Sequence, residues 1–551
     1  AVIALLLLPH LSSNAQTGPG GVGDNTTNHV WLDAHSLGFA DGAQVALWND
    51  LSGNSSDFNQ ANSDQQPVYN TTGISGIPSL TFDGFNDILT SGSIPALESS
   101  EITYFIVYDR TTTTSDIIIN ADYASAFNKW RTYMNPGQNT IISAHYSPTI
   151  KWVRYTDPAG ASFYSTHITP TNIRTYNQGV LGMSRNLTYT TPTGHNSIYL
   201  GNRDPETESN YTFTGEIAEV VIFNTQLNDL ERILVENYLG VKYNMSIPTD
   251  LYDYEATHRF GLVALGNDGT NSQTTAQGAG ILEISGATDM GSNEYFLVAH
   301  NDFAPDEYNA SDLPPTLPDH QRLERTWRVG ETGEVGTTTL TFNLGTFDFA
   351  ASDSYRLLVD TDGTFTDATA FAGTYDAGSS SVTFTADMED GDFFTLAGIQ
   401  EILNIHSITD GNWSETSTWD CGCIPSINDS VFIDPGTTVS IDTDGNAHFL
   451  EVVAGGSLEA STDNNLNIVG NWQINGSVNL SNGSVSLIGS TEQTVGISTI
   501  SLDSAFVHDI IVNNSSAGNV EFASGKFVLD GTLSPNQGNI VIGAGAEFII
   551  A

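Results

Sequence analysis

Residues 213–244 show the clearest change of hydrophobic period in the chain. Over 213–223, β-branched and aromatic residues predominate, as in a strand packed on at least one face. The apolar side chains that follow recur at helical spacing and form one stripe: Leu227, Leu230, Ile233, Leu234, Tyr238 and Val241. Asn228 and Glu231 stand where a capping box would begin that helix. The pattern predicts a buried strand followed by one short amphipathic helix.

Elsewhere the pattern predicts β-structure. From residue 24 to 400, short runs of β-branched and aromatic residues are separated by turn clusters of Gly, Asn, Asp and Ser. From residue 429 onward, strand-like runs such as SVFID, TTVSID and GSLEA recur about 8 to 12 residues apart. One such run cannot bury its apolar side chains alone, so this spacing predicts a parallel β-solenoid whose coils stack on one another.

Two motifs and the segment above connect the first region with a known family. Trp48 opens the run WNDLSGN and Phe82 opens FDGFND, and the strand-and-helix segment follows them and ends at Asn244. In this order they resemble the LamG-like (concanavalin A-like) jelly-roll domains of secreted proteins from Bacteroidetes-type bacteria. The resemblance implies a jelly roll over residues 24–247. Trp31 and Trp48 are expected to pack in its core or at a hinge rather than to stack on sugars.

The later regions resemble other parts of bacterial surface proteins. HRFGLVALGND, YFLVAHND and RTWRV, within residues 250–400, resemble an uncharacterised domain that often follows LamG-like domains. Residues 405–551 resemble surface-protein repeats, which we expect to continue beyond Ala551. The predicted fold class is all-β: a jelly-roll sandwich, then a second β-sandwich of unknown function, then a parallel β-solenoid.

Residues 1–16 have the composition of an export signal. AVIALLLLPHLSSNAQ is an apolar run too short to span a bilayer, and Ser13, Asn14 and Ala15 end it as a small-x-small cleavage site. An initiator Met and a cationic segment are missing, so we expect a signal peptide truncated at its start. No later run is apolar for long enough to predict membrane insertion. The expected location is extracellular, secreted or at the cell surface.

The charge balance narrows the range of partners. Lys and Arg number 16 against 64 Asp and Glu, for a net charge of −48. Such a surface repels phosphate backbones and anionic headgroups, which argues against nucleic acid and membrane surfaces as partners. The family resemblance implies glycans or glycoproteins instead.

The sequence lacks recognisable catalytic motifs. Glu216 and Glu219 come nearest to a glycosidase pair, but three positions apart on a strand they are expected to point to opposite faces. A polysaccharide lyase built on the solenoid would need a Lys or Arg base to abstract a proton from its substrate. From residue 411 onward, Lys526 is the only Lys or Arg in the sequence. No G-x-S-x-G elbow occurs. The chain is therefore predicted not to be an enzyme.

One acidic run has the spacing of metal ligands. Asp360, Asp362 and Asp367 follow the pattern D-x-D-G-x-x-x-D, which resembles the front of a Ca²⁺ loop, although the later bidentate Glu is missing. A plain turn is the alternative. Cys421 and Cys423, the two cysteines, are expected to form a local disulfide at the entry to the solenoid.

Together these features predict a non-catalytic, secreted cell-surface adhesin, or a carbohydrate- or glycoprotein-binding protein, that binds through loops at one rim of the jelly roll. Two alternatives stay open. One is an accessory binding region of a larger secreted polysaccharide-degrading enzyme, and the other is a purely structural surface-layer component.

Overall fold

The computed structural model describes residues 18–111, 117–121, 130–135, 140–146, 150–156, 160–186, 197–202, 212–305, 307–318, 320–345, 349, 354–399, 403–460, 463–497, 505–515 and 519–550. Over 134–135, 140–146 and 150–151 it describes the backbone alone. The predicted signal peptide lies outside the described residues. The chain forms two compact units: unit 1 comprises residues 1–347 and 352–398, and unit 2 comprises residues 348–351 and 399–551.

The first part of unit 1 is a β-sandwich. Its strands are β1 (Asn28–Asp33), β2 (Leu47–Trp48), β3 (Phe58–Asn59), β4 (Val68–Asn70), β5 (Ser79–Asp83), β6 (Leu89–Ser91), β7 (Ile102–Arg110), β8 (Ile117–Ala121), β9 (Trp130–Asn135), β10 (Thr140–Tyr146), β11 (Ile150–Thr156), β12 (Ser162–Ile168), β13 (Asn172–Asn177), β14 (Val180–Asn186), β15 (Ile198–Leu200) and β16 (Thr214–Phe223).

Two antiparallel sheets make up this sandwich. Sheet I has the strand order β14-β13-β12-β7-β16-β5-β4, with β1 beside β16, and sheet II has the order β11-β10-β9-β8-β15-β6-β3-β2. Trp48, Phe82 and Tyr104 belong to the apolar core between them. Trp31 and Trp48 are both buried, which confirms the prediction that these rings pack inside.

One α-helix, α1 (Asp229–Tyr243), follows β16 directly. Asn228 accepts the N–H of Glu231 and the Glu231 carboxylate accepts the N–H of Asn228, so the predicted capping box is confirmed. Leu234 of the helix packs in one cluster with Val221 on the outer side of sheet I and with Leu262 of the next sandwich. The predicted apolar stripe therefore joins the two sandwiches of unit 1.

The second part of unit 1 is also a β-sandwich. One sheet has the order β18-β17-β21-β24-β30-β23-β22, with β26 between β30 and β27, and the other has the order β19-β20-β25-β29-β28. The strands are β17 (Phe260–Asn267), β18 (Ser272–Gln273), β19 (Thr275–Gln277), β20 (Leu282–Ser285), β21 (Glu294–His300), β22 (Tyr308–Asn309), β23 (Gln321–Leu323), β24 (Trp327–Thr332), β25 (Thr338–Asn343), β26 (Arg356–Asp360), β27 (Thr369–Ala372), β28 (Thr374–Asp376), β29 (Ser381–Ala386) and β30 (Phe393–Gly398).

Unit 2 is a parallel β-solenoid of about five turns. Val431, Leu450, Trp472, Val495 and Phe522 stack as one buried row, each paired with the next. The strands are β31 (Asn404–His406), β32 (Gly411–Asn412), β33 (Ser430–Ile433), β34 (Thr438–Ile441), β35 (Gly445–Ala447), β36 (Phe449–Val452), β37 (Ser457–Ala460), β38 (Asn465–Ile468), β39 (Trp472–Ile474), β40 (Ser477–Leu487), β41 (Gln493–Ile497), β42 (Ala505–Asn513), β43 (Asn519–Leu529), β44 (Leu533–Gln537) and β45 (Asn539–Ile550). The predicted all-β class, two sandwiches and then a solenoid, is confirmed.

Short features complete the fold. A disulfide joins Cys421 and Cys423 before β33, as predicted. Single-turn 3-10 helices occur at Ala34–Leu37, Ser63–Gln65, Ile74–Gly76, Pro95–Leu97, Phe365–Asp367 and Thr416–Thr418. Across the described residues, no helix combines the length and apolar character needed to cross a bilayer.

Candidate functional site

The acidic run proposed for Ca²⁺ forms a turn after β26. The Asp360 carboxylate accepts the backbone N–H groups of Asp362 (2.8 Å) and Gly363 (2.7 Å), and Asp362 accepts that of Thr364 (2.8 Å). The bond from Thr364 lowers the pKa of Asp362. Asp367 is exposed on the 3-10 helix that follows. Within the described residues no three acidic, His or Cys side chains converge as metal ligands, and Ca²⁺ stays a prediction.

Glu216 and Glu219 lie on the same face of sheet I, so the expectation that they point to opposite faces is wrong. Ile217 and Val220 belong to the interior core, which leaves Glu216, Ala218 and Glu219 on the outer side. The pairing of β16 with β7 skips Ala218. An extra, bulged residue shifts the alternation of faces by one position, which is the physical reason for the difference.

Glu219 belongs to a buried ion cluster beneath α1. Lys242 Nζ lies 2.6 Å from Asp33 Oδ2 and 2.8 Å from Glu219 Oε2, and Trp31 Nε1 and Tyr243 OH each donate to Glu219 at 2.9 Å. Burial disfavours the charge on Lys242, but the two carboxylates outweigh burial and raise the pKa of Lys242. Glu219 is 1% exposed, so its carboxylate holds the helix and is closed off from a substrate.

Positive charge is concentrated in one segment of the chain. Residues 110–203 hold eight of the 16 Lys and Arg but three of the 64 Asp and Glu, so this segment carries +5 (8 − 3) where the whole chain carries −48. Its cations are Arg110, Lys129, Arg131, Lys151, Arg154, Arg174, Arg185 and Arg203. Strands β8–β14 come from this segment and form one end of sheet I and one end of sheet II. The whole-chain charge conceals this segment, but a running count along the sequence would have found it.

Side chains from three strands of this segment lie on, or at the edge of, the outer side of sheet II. Alternation along β9 and β11 turns Thr132, Val153 and Tyr155 into the core and leaves their neighbours outside. From β14, at the adjoining edge of sheet I, Arg185 Nη1 donates to the Trp152 carbonyl oxygen (3.3 Å). The resulting Arg–aromatic face consists of five residues: Arg131, Tyr133, Trp152, Arg154 and Arg185.

Each guanidinium of the Arg–aromatic face lies against a ring. Arg131 is 4.8 Å from the ring centroid of Tyr133, and Arg154 and Arg185 are 5.3 Å and 5.2 Å from that of Trp152. Through the intervening β10, the backbone register puts Arg131 in line with Trp152 and Tyr133 in line with Arg154. Because neighbouring strands are about 4.8 Å apart and same-face residues about 7 Å apart along a strand, the face covers roughly 10 Å by 7 Å.

Arg154 and Arg185 have no carboxylate partner among the described residues. In unit 1, by contrast, Arg232 binds Glu236 at 2.6 Å and Arg322 binds Asp312 at 2.8 Å. Arg154 is exposed and Arg185 half-buried. Apart from the bond of Arg185 Nη1 to the Trp152 carbonyl oxygen, their N–H groups are therefore open to a ligand.

Trp152 differs from every other tryptophan of the chain. It is 36% exposed, while the other seven are at most 3% exposed. Its indole is therefore the one tryptophan ring that a ligand can reach. No motif around Trp152 signals this role, because exposure depends on the sheet around it.

A cleft of about 390 Å³ opens beside the Arg–aromatic face. Thr156, two residues beyond Arg154 on the same side of β11, belongs to its lining, as does Val180 of β14. The remaining lining residues are Tyr155, Asn177, Gln178, Gly182, Ser246, Ile247 and Pro248. All of these side chains are uncharged, and the volume lies within the range of small-ligand sites.

Comparison with known protein families finds a match within the second sandwich. A family described as "Domain of unknown function (DUF8202)" matches residues 266–392. No curated protein matches the chain. The match lies within the region that resembles an uncharacterised domain. The LamG-like resemblance and the bacterial group stay predictions.

Several solved structures share parts of the β-fold at low similarity. Domain 4 of AbnA, a GH43 arabinanase from Geobacillus stearothermophilus solved with arabinotriose, is 15% identical, with a TM-score of 0.27 over 38% of this chain and 97% of that one. Trypanosoma rangeli sialidase is 12% identical, with a TM-score of 0.29 over 38% of this chain and 32% of that one. The sialyllactose-bound CBM40 of Ruminococcus gnavus IT-sialidase is 14% identical, with a TM-score of 0.22 over 25% of this chain and 84% of that one. These neighbours are carbohydrate-binding or glycosidase-related proteins, and at such TM-scores we base no functional conclusion on them.

Proposed function

We propose that the chain is a carbohydrate-binding protein and that the Arg–aromatic face is its binding site. The observation that carries the proposal is the exposed indole of Trp152, with the guanidinium groups of Arg154 and Arg185 close to its ring. An aromatic ring offers a flat apolar surface on which the C–H face of a sugar ring can pack. The planar N–H edges of arginine then donate to the hydroxyl oxygens around that sugar.

The adjoining cleft supports a saccharide of more than one unit. It is lined by uncharged side chains such as Asn177 and Gln178, which can donate to and accept from sugar hydroxyls. This site is on a sheet surface, whereas the family resemblance implies rim loops.

For the whole chain we propose a secreted, non-catalytic adhesin, in keeping with the export signal expected at residues 1–16. An accessory role beside a polysaccharide-degrading enzyme would use the same site.

A glycan array tests the proposal with the full chain and two matched variants. Trp152→Ala removes the exposed ring of the site, and Phe85→Ala removes a ring that is 77% exposed in the turn after β5. We expect selective glycan binding that Trp152→Ala weakens at least about tenfold and that Phe85→Ala leaves unchanged. A loss of this size corresponds to a stacking contact of about 1.4 kcal/mol.

Two further readouts decide between outcomes. Iodide should quench the exposed Trp152 in the wild-type chain, and a bound glycan should protect it. If Trp152→Ala binds the same glycans with unchanged affinity, the site is elsewhere, and the rim loops become the better candidate. Repeating the array with Ca²⁺ and with EDTA tests whether glycan binding depends on the metal. We expect glycan binding at the Arg–aromatic face to be the same in both conditions.

A further inference from the structure

We infer that the Arg–aromatic face selects saccharide units that carry an anionic group, either a carboxylate or a sulfate ester. This inference rests on the proposed function and specifies its ligand class. It follows from the charge of residues 110–203, from the guanidiniums of Arg154 and Arg185, which have no carboxylate partner among the described residues, from the size of the face and from the neutral cleft beside it.

The guanidinium groups are the first argument. A chain with 64 carboxylates and 16 cations has ample acid to neutralise every arginine, yet Arg154 and Arg185 have no acidic partner in the described parts of the chain. Both guanidiniums lie within about 5.3 Å of the Trp152 ring centroid. Apart from the bond of Arg185 Nη1 to the Trp152 carbonyl oxygen, their N–H groups have no partner in the described parts of the chain. The planar N–H edge of a guanidinium matches the two oxygens of a carboxylate or sulfate in a bidentate pair.

The short distance over which exposed charges act is the second argument. Residues 110–203 carry +5, so the rest of the chain carries −53 (−48 − 5). At physiological salt, exposed charges are screened beyond about 8 Å. An anionic group held at the face therefore responds to Arg131, Arg154 and Arg185 more than to distant carboxylates. The whole-chain charge, which argues against extended polyanions, does not exclude a small anion at this point.

The size of the face separates a sugar from a nucleic acid. Roughly 10 Å by 7 Å accommodates one or two sugar units, whereas duplex DNA presents a phosphate charge about every 1.7 Å and is held by a longer stripe of cations. An anionic lipid surface likewise needs a broad basic patch. Beside the face, the cleft past Thr156 is lined by uncharged side chains. The arrangement fits an anionic sugar joined to neutral ones.

The test is a titration of the full chain with four trisaccharides, in which binding is measured by calorimetry and by tryptophan fluorescence. The probes are trigalacturonate, its methyl ester, neutral galactotriose and a sulfated galactotriose. We expect at least one anionic probe to bind at least tenfold more tightly than the methyl ester and galactotriose. The trigalacturonate and sulfate arms identify which anion is preferred. Affinity for the anionic probe should fall as NaCl is raised from about 50 to about 500 mM.

Matched arginine variants assign the selectivity to this face. Arg154→Gln and Arg185→Gln should each weaken binding of the anionic probe about tenfold and weaken binding of neutral galactotriose by a clearly smaller factor, because only the anionic probe loses a charge-assisted hydrogen bond. Arg259→Gln is the control, because Arg259 also stacks on a ring, that of Phe260, in the second sandwich. Arg154 is exposed, so its replacement should not impair folding, and near-UV circular dichroism checks this.

The outcomes separate the inference from the proposed function. If neither trigalacturonate nor sulfated galactotriose binds more tightly than the methyl ester and galactotriose, and Trp152→Ala still loses binding, the anionic selectivity is overturned and carbohydrate binding stands. Binding of no trisaccharide, together with an array unaffected by Trp152→Ala, would overturn both. Tighter binding of a single-stranded oligonucleotide than of any anionic trisaccharide would overturn the sugar as the ligand.

Discussion

At the scale of single residues, His167 shows how burial sets a protonation state. Its ring lies on the outer side of sheet I, 6.1 Å from the ring of Phe105 and 5.3 Å from that of Tyr176. Burial, together with the smaller effect of the charges of Arg232 and Arg174, lowers the pKa of His167 from 6.5 to about 3. Below pH 6.5 the unfolded chain binds a proton at this residue that the folded chain does not bind. This residue therefore reduces stability as the pH falls from about 6.5 toward 3.

The variant His167→Gln tests this residue. Between pH 7 and pH 5, the wild type should lose about 2 kcal/mol more unfolding free energy than the variant, because only the wild type carries this proton linkage. Urea denaturation at each pH measures the difference. Between pH 7 and pH 8 the difference should stay constant, which serves as the control. Parallel pH profiles down to pH 5 would show that the folded His167 takes up a proton normally.

At the scale of elements, helix α1 is held by charge as well as by apolar packing. Lys242 in its last turn reaches Asp33 of β1 and Glu219 of β16, and all three side chains are nearly buried. Such a cluster depends on the presence of every member. Removing the cation leaves two carboxylates in a low-dielectric site, and burying an unpaired charge is strongly unfavourable.

Lys242→Met should therefore lower the unfolding free energy by about 3–5 kcal/mol. The triple variant Lys242→Met, Glu219→Gln and Asp33→Asn, which removes all three charges, should recover part of that loss. Asn228→Ala, which removes only the helix cap, should cost about 1 kcal/mol and provides a scale for the comparison. Urea unfolding measures all three variants. A loss below about 1 kcal/mol for Lys242→Met would mean that the cluster admits water.

At the scale of the whole molecule, the two units have separate apolar cores. The core of unit 2 is made of stacked rows, and Val485 of β40 pairs with Leu466 on one side and Ile510 on the other. A solenoid depends on contacts between neighbouring coils, so a fault in one row spreads to the next. The Arg–aromatic face is in unit 1, with its own cores.

Val485→Asp should disrupt the solenoid and leave ligand binding in unit 1 intact. A buried, unpaired carboxylate costs several kcal/mol, which is enough to unfold neighbouring coils. Asn479→Asp is the control, because it adds the same charge to the same strand at an exposed position. Limited proteolysis measures whether the solenoid stays folded. A titration with the glycan that binds most tightly on the array measures the affinity of the Arg–aromatic face. Loss of binding in Val485→Asp alone would show that unit 1 depends on unit 2.

Much of the fold was predictable because its signals are local. Asn228 and Glu231 predict the start of the helix from hydrogen bonds within one turn, and Cys421 and Cys423 are close enough in sequence to meet. The solenoid rows follow from the spacing of short apolar runs. Glu216 and Glu219 show the limit, because the bulge at Ala218 arises from the pairing of β16 with β7 and leaves no mark in the period of β16 itself.

The sequence by itself determined which segments are strands, where helix α1 begins and how the solenoid repeats, because period, capping and turn chemistry act over a few residues. It also contained the excess of cations in residues 110–203. Only the tertiary structure decided that Arg131, Trp152 and Arg185 share one surface. They come from strands far apart in the chain, and the register of sheet II and the meeting of its edge with β14 bring them together. Side-chain neighbours across a sheet depend on strand pairing, and pairing is a property of the whole fold.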